Sequence, residues 1–539
     1  MHVSLSRDTR TPAASLKAAA VLGLVLAAAA VYRGTLAAPL VYDDRVWITD
    51  NPSIRHLGSL ADVFFPGDAP VRGRPLLSLS LAVNHAISGD DPWSYHLANL
   101  LIHASAALVL FGVVARTLAY RPARFPKDED RILPAFAVAL LWAVHPLQTE
   151  AVTYVVQRSE SLMGLFYLLA LYGFIRGAQT PEPRAWRLLC VAACALGMAT
   201  KEAMVTAPLV VLAYDRTFVA GGVREALRER RGLYAGLAST WILLAFLCTG
   251  LGGRGVGFGL GYSWWSYGLT ECWVVAHYVL LSLWPFPLAF DYGTDLVGGL
   301  RAALPWACIV AAAAGATAVA LSRRSALGFA GAWFFLTLAP ASSVVPVAFQ
   351  PMAEHRMYLP LAAVMVFVVA AAWAWLGRRS LPLVLAAALA LGTGAFLRNE
   401  DYRSETVLWA DTVQRRPANP RARLALGEAL AREGRHAEAA GQFSEATRLD
   451  PGDYRARMSL GEELDHMGRV GEALALYRGI VPPIPDSAPL HYDIGLSLEK
   501  TGRRAEAMAQ YSEAVRLDSG YAQAGAGLAR MKGAAPPRR

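Results

Sequence analysis

Long apolar stretches separated by short polar turns fill the first three quarters of the chain. At 1.5 Å rise per residue, about 20 apolar residues cross the hydrocarbon core of a bilayer. On that criterion spans fall near residues 16–38, 96–119, 132–149, 160–177, 186–200, 203–219, 233–251, 267–285, 303–321, 326–341, 358–376 and 381–397. After residue 397 the pattern changes to charged and apolar positions at helical spacing, with a repeat of 34 residues.

Five columns carry that repeat. They are Gly427/Gly461/Gly495, Leu430/Leu464/Leu498, Gly434/Gly468/Gly502, Ala439/Ala473/Ala507 and the aromatics Phe443/Tyr477/Tyr511. Pro451 and Pro485 close two units, while Ile480 and Ser519 depart from the Ala and Pro usual at their places. This is the tetratricopeptide period, in which small residues sit where paired helices cross and an aromatic packs between them. The pattern predicts an all-α chain: a polytopic membrane bundle of eleven or twelve spans, then an α-solenoid. The membrane domain is expected over 1–397 with a large outer loop at 39–95, and a connector helix over 398–419. Three repeats (420–453, 454–487 and 488–521) and a capping helix fill 420–532. Such an array offers a concave surface for protein binding.

Composition supports the membrane reading. The 539 residues are 55% hydrophobic and 17% charged, with a mean hydropathy of +0.33, against about 25% charged in soluble domains. The net charge of +9 sits largely in short Arg-rich loops, which is a topology signal and not a nucleic-acid one. The N-terminus with Arg7, Arg10 and Lys17, the loops at Arg121–Arg131 and Arg224–Arg231, and the pairs Arg323/Arg324 and Arg378/Arg379 are expected on the cytoplasmic side. Loops 39–95, 145–160 and 342–357 and the tail then face outward. With 252–266 and 286–302 both outside, segment 267–285 cannot be a simple span; it is re-entrant, or a neighbouring span is misplaced. The first apolar run is too long for a signal-peptide core and reads as an uncleaved span. The five cysteines lie in apolar segments and read as small buried hydrophobes.

The outward face gathers polar residues. Asp43 and Asp44 follow the first span, and ionisable groups at a bilayer edge commonly mark a site; helix-end solvation or pairing with Arg45 is the plainer reading. Arg72 and Arg74 either anchor to headgroups or bind a lipid-linked phosphate, for which Arg is suited. His96 enters the second span. His145, Glu150, Arg158 and Glu160 crowd the end of the third, where Pro146 breaks the helix; Arg158 and Glu160 either pair or contribute to a site. Lys201 and Glu202 occupy a tight turn, and His355 and Arg356 precede a later span. No Walker loop, H-E-x-x-H, G-x-S-x-G or dinucleotide fingerprint competes, and the glycine-rich stretch 252–261 follows a span and not a strand.

These motifs in order (the acidic pair, Tyr95-His96-Leu97-Ala98-Asn99, His145-Pro146, Glu150-Ala151-Val152, Arg158-x-Glu160, Lys201-Glu202, Arg356-Met357-Tyr358-Leu359-Pro360) with the repeats resemble a known family. It is the transmembrane and tetratricopeptide-repeat-containing protein O-mannosyltransferases and their bacterial relatives, of the C-type glycosyltransferase (GT-C) superfamily. The resemblance covers about 16–530. It implies a polyprenyl-phosphate-linked sugar, mannose, as donor and a protein hydroxyl as acceptor. Asp43 or Asp44 would be the general base, with Arg72, Arg74, Lys201, His355 and Arg356 as candidates to neutralise the leaving phosphate. His96, His145, Glu150, Arg158, Glu160 and Glu202 join the candidate substrate-binding set. No cofactor is expected beyond the lipid-linked donor; paired carboxylates can hold a divalent metal, but no further ligands stand out. Expected partners are the donor, an acceptor protein on the repeats and membrane lipids, with no nucleic acid. The Ala-, Arg- and Gly-rich composition suggests a bacterial inner membrane with the repeats in the periplasm. The rival readings are a non-catalytic scaffold recruiting partners through its repeats, and a transporter of lipid-linked sugar.

Overall fold

The computed structural model describes residues 12–67, 69–249, 256–257, 263–293, 296–347, 350–479 and 487–533. Arg7, Arg10, most of the glycine-rich stretch 252–261, Ile480 and Pro485 lie outside them. Among the described residues the chain is helical, apart from one isolated antiparallel bridge between Val256 and Val347. It divides into two units, Met1–Phe290 with Thr294–Ser404, and Asp291–Gly293 with Glu405–Arg539.

The first unit opens with α1 (Pro12–Tyr32), an amphipathic α2 (Pro75–Ser88), α3 (Trp93–Leu118), α4 (Asp128–Ala143) and α5 (Arg158–Ala178). α6 (Arg184–Met198), α7 (Ala207–Tyr214), α8 (Arg231–Cys248) and α9 (Trp264–Leu283) follow. It closes with α10 (Leu300–Ser322), α11 (Ala326–Leu338), α12 (Pro360–Leu376) and α13 (Leu381–Glu400). Among the described residues, six stretches can cross a membrane by length and apolar character, or up to eight if each of two bent pairs is one span. One bent pair is α4 with 146–153, turned by 58° where Pro146 cannot continue the helix. The apolar stretch Pro360–Arg403 is two antiparallel helices, not one. Arg378 at the turn bonds Asp130 at the start of α4 (2.9 Å), whereas Gly394 packs on Pro146 beyond its end. Gly377, at φ +56°, makes that reversal cheaply.

Contacts sort the loops onto two ends. At one, Arg121 donates to the Arg324 carbonyl (3.2 Å), Arg216 to that of Leu321 (2.6 Å) and Arg116 to Gln179 (3.0 Å). This is the basic end. At the other, His96 meets the Ala38 carbonyl (3.0 Å) and Trp142 donates to that of Tyr358 (2.8 Å). α9 carries bonds at the second end along its length. Thr270 accepts from Val297 N (3.0 Å), Tyr278 bonds Ala353 (2.8 Å) and the Ser282 carbonyl meets His145 (3.1 Å). Segment 267–285 is not among the described stretches long and apolar enough to cross a membrane.

The second unit pairs helices as the 34-residue columns require. α14 (Glu405–Arg415) precedes α15 (Pro420–Arg432) with α16 (His436–Leu449), and α17 (Tyr454–His466) with α18 (Val470–Arg478). α19 (Ala488–Lys500) pairs with α20 (Arg504–Leu517), and α21 (Ala522–Met531) caps the array. A Cβ at Gly427, Gly461 or Gly495 would lie 2.4, 2.4 or 2.7 Å from Phe443, Tyr477 or Tyr511, so the glycine column admits the aromatic one. Gly434, Gly468 and Gly502 sit at φ +74°, +77° and +73°. There the next residue's N–H returns to Leu430, Leu464 or Leu498, a left-handed helix stop that favours glycine.

Candidate active site

The acidic pair follows Tyr42, which holds a left-handed φ of +49°, a costly conformation that tertiary structure must enforce. The two carboxylates diverge from it. Asp44 is fully buried, and its Oδ2 accepts from Val41 N (3.1 Å) and its Oδ1 from Val156 N (2.8 Å). Burial pushes its carboxyl up to about 8 against the opposing pull of those N–H groups. Asp43 is exposed, and its backbone N–H donates to the Tyr154 hydroxyl (3.1 Å). Only Asp43 presents its carboxylate to solvent.

Two of the predicted cations, Arg74 and Lys201, are held in ion pairs with carboxylates of neighbouring turns. Arg74 makes a two-point bond to Glu202 (2.9 and 3.4 Å) over the ring of Trp47 (5.7 Å). The next residue back, Lys201, pairs with Glu160, while Leu76 N bonds the Ala199 carbonyl (3.1 Å). The start of α2 is thereby fixed on the turn between α6 and α7, where two ion pairs, Arg74 with Glu202 and Lys201 with Glu160, stand on consecutive residues. Arg72 lines a separate cavity of about 440 Å³ with Phe64, Phe65, Phe246, Leu247 and Thr249.

The remaining predicted residues brace the site from within. Arg158 is buried and has no carboxylate partner among its bonds. It donates to Asn99 (2.6 Å), Asn84 (2.6 Å), the Ser80 carbonyl (3.1 Å) and the Tyr95 carbonyl (2.8 Å), riveting α2, α3 and α5 together. Glu150 accepts from both Nδ1 and the backbone N of His355 (2.8 Å each). Arg356 gathers the carbonyls of Ala341, Gln350 and Pro351 at 3.0, 2.5 and 2.7 Å. His145 uses both nitrogens, accepting from Leu147 N (3.2 Å) and meeting the Ser282 carbonyl. His96 is buried with Nδ1 lacking a protein partner among the described residues.

Sequence reasoning passed over Tyr154 and Glu271. Tyr154 stands four residues from both Glu150 and Arg158, a helical spacing that flags it. Glu271 is an acid in an apolar segment, a signal in its own right. It is buried on α9 next to the Tyr267 hydroxyl and Ser342 Oγ, and none of these oxygens makes a close hydrogen bond among the described residues.

Residues 68–249 match the family model for dolichyl-phosphate-mannose-protein mannosyltransferases. Tetratricopeptide models match 395–454, 440–489 and 488–521. Protein O-mannosyl-transferase TMTC2 of Mus musculus is 34% identical over 199 residues, 34% of this chain and 22% of that protein. The likeness to the protein O-mannosyl-transferases is therefore shown. Tmtc3 of Drosophila melanogaster is 26% identical over 517 residues, 79% of this chain and 55% of that protein. The chain thus spans about half or less of these relatives' length. Among solved structures it resembles ArnT from Cupriavidus metallidurans bound to undecaprenyl phosphate, at 17% identity and a TM-score of 0.38, over 87% of this chain and 82% of that one. The mannosyltransferase model covers every predicted site residue except Asp43, Asp44, His355 and Arg356.

Proposed function

We propose that this integral membrane protein is a glycosyltransferase moving mannose from a polyprenyl-phosphate carrier to a Ser or Thr hydroxyl of a protein. The observation that carries the reading is the contrast between Asp43 and Asp44 at the end where the charged clusters meet. A general base must reach the proton it removes; Asp43 is exposed to do so, and Asp44 is buried holding the turn. The acceptor oxygen attacks the anomeric carbon, its proton passes to Asp43, and the bond from that carbon to the phosphate oxygen breaks with its electron pair leaving on phosphate. The outcome is inversion.

Arg72 is the first contact for the phosphate, since its cavity joins a cation to the apolar faces of Phe65 and Phe246, as a prenyl phosphate requires. Arg74 and Lys201 follow as the neighbouring cations, their carboxylate partners keeping them oriented while no donor is bound. The buried oxygens of Glu271, Tyr267 and Ser342 take sugar hydroxyls. This chemistry needs no cofactor beyond the donor. The basic end faces the cytoplasm of a bacterial inner membrane by the positive-inside rule, which sets transfer on the periplasmic face, and the repeats bind the acceptor protein.

Purified protein in vesicles carrying polyprenyl-phosphate mannose is incubated with a Ser/Thr peptide, and mannosylated peptide is measured by mass spectrometry. Transfer by the natural chain and its loss in Asp43→Asn supports the reading. A scaffold or transporter gives no product with either.

A further inference from the structure

At the basic end, a cavity of about 640 Å³ opens among α1, α3, α4 and α5, within the roughly 300–1,000 Å³ usual for ligand sites. Its walls are apolar, with Val21, Leu108, Phe111 and Ile132 among them, and its charged lining is Lys17, Arg116, Arg131 and Asp128. Arg131 is consumed within the protein: it bonds Asp128 (3.1 Å) and the carbonyls of Phe125 (2.9 Å) and Pro126 (3.2 Å). The other two cations are not. Arg116 is held by neutral groups only, Nε to the Tyr172 hydroxyl (3.4 Å) and Nη1 to Gln179 (3.0 Å), which leaves Nη2 with no protein partner among the described residues. Lys17 is exposed on α1 and has none there either.

The positioning of Arg116 is built into the helices. A Cβ on Gly112 would lie 2.8 Å from Tyr172 Cε2, so only glycine lets that ring lie on α3, where Arg116 stacks over it (5.5 Å). A fixed guanidinium without a carboxylate, a free ammonium and apolar walls between spanning helices together describe a site for a molecule with an anionic head and hydrocarbon tails.

We propose that this cavity binds an anionic phospholipid of the basic-end leaflet, its phosphate between Lys17 and Arg116 and its acyl chains along the walls. Basic pockets between spanning helices on the cytoplasmic side are suited to such headgroups. The site lies at the opposite end of the helices from Asp43 and is independent of the transfer chemistry.

The full chain in detergent is titrated with phosphatidylglycerol, phosphatidylcholine or inorganic phosphate, and bound lipid is counted by native mass spectrometry. Phosphatidylglycerol is retained by the natural chain, about fivefold more weakly by Lys17→Gln and about 30-fold more weakly by Lys17→Gln/Arg116→Gln. Phosphatidylcholine is retained no better than by the double variant. Equal retention of phosphatidylglycerol by all three proteins overturns the proposal, as does its displacement by millimolar inorganic phosphate, which would mark a site for free anions. Should the double variant fail to fold, Lys17→Gln decides the question, because Lys17 is exposed and its loss removes no protein contact.

Discussion

The Asp44 carboxylate accepts from Val156 N at 2.8 Å, tying the turn after α1 to the break before α5, 112 residues along the chain. Its neighbour Asp43 meets the same break through its backbone N–H, which donates to the Tyr154 hydroxyl. On the proposed function the two adjacent carboxylates divide a structural and a chemical task, and substitution separates them. Asp43→Asn should fold and express normally and lose transfer by about 10²–10⁴-fold, the usual worth of a general base. Asp44→Asn turns an NH₂ group toward a backbone N–H whichever way the amide lies. It should lower thermal stability and expression, with activity lost in proportion to folded protein. Melting curves run beside initial rates distinguish the two.

Arg158 should behave as a structural residue despite its charge. Its donors are satisfied by amides and carbonyls on α2 and α3, so Arg158→Lys keeps the charge but strands several acceptors. With hydrogen bonds from charged groups worth about 1.5–3 kcal/mol each, the substitution should cost about 3 kcal/mol or more. A detergent melting curve lowered to the same extent in Arg158→Lys and Arg158→Met is expected, because geometry and not charge is what is lost.

The cavity lined by Arg72, proposed above to take the donor, carries a third prediction. Arg72→Gln should raise KM for the lipid-linked donor about tenfold, the effect of losing roughly 1.4 kcal/mol of charge-assisted binding, with little change for the acceptor peptide. Phe65→Ser should do the same through the apolar wall while leaving a water-soluble donor analogue unaffected. Initial-rate kinetics with both donors make the check.

How much of this was legible depended on the range of the interaction. The repeat columns could be read because their partners are local: Gly461 meets Tyr477 sixteen residues on, and the same pair recurs in each unit. Most spans could be read because apolar length is a property of one segment, whereas 186–200, 267–285 and 326–341 fall short of that length or composition among the described residues. Parity alone flagged 267–285, and among the described residues that segment is not one of the stretches apolar enough to cross. The pairings of the site were hidden. Arg158 and Glu160 are two apart and so point to different faces of α5; Glu160 turns to Lys201 and Arg158 to Asn84 and Asn99. The bond between Glu150 and His355 joins residues 205 apart, which no pattern in one sequence exposes. Nor could the pair Asp43-Asp44 be divided before the positive φ of Tyr42 was known.

The glycine column of the repeats is a fourth test. Gly461→Ala places a methyl 2.4 Å from the Tyr477 ring, and overpacking of this kind costs about 1–3 kcal/mol. Gly441→Ala, where no atom lies within 4 Å of the new Cβ, should be neutral or stabilising, since alanine favours a helix by about 1 kcal/mol over glycine. Opposite shifts of the repeat unit's melting transition are expected from two chemically identical substitutions.

The repeats also carry a pH signature. Asp493 on α19 has its carboxyl pushed up to about 8 by burial first, and then by Glu462 and Asp465 nearby, against the pull of Lys500. Glu462 and Glu428 are raised as well, also chiefly by burial. A carboxyl that titrates higher in the folded than in the unfolded chain binds more protons when folded, so stability falls as pH rises between the two values. For Asp493 that window runs from 3.8 to about 8, and the full penalty stands above it. The repeat unit should therefore melt several degrees lower at pH 8 than at pH 5.5. Asp493→Asn carries no charge at either pH, so it should flatten that slope and raise the melting temperature at pH 8 more than at pH 5.5. A basic peptide that lies against Glu462 and Asp493 would neutralise the same carboxylates, and should stabilise the natural chain at pH 8 while leaving Asp493→Asn nearly unmoved.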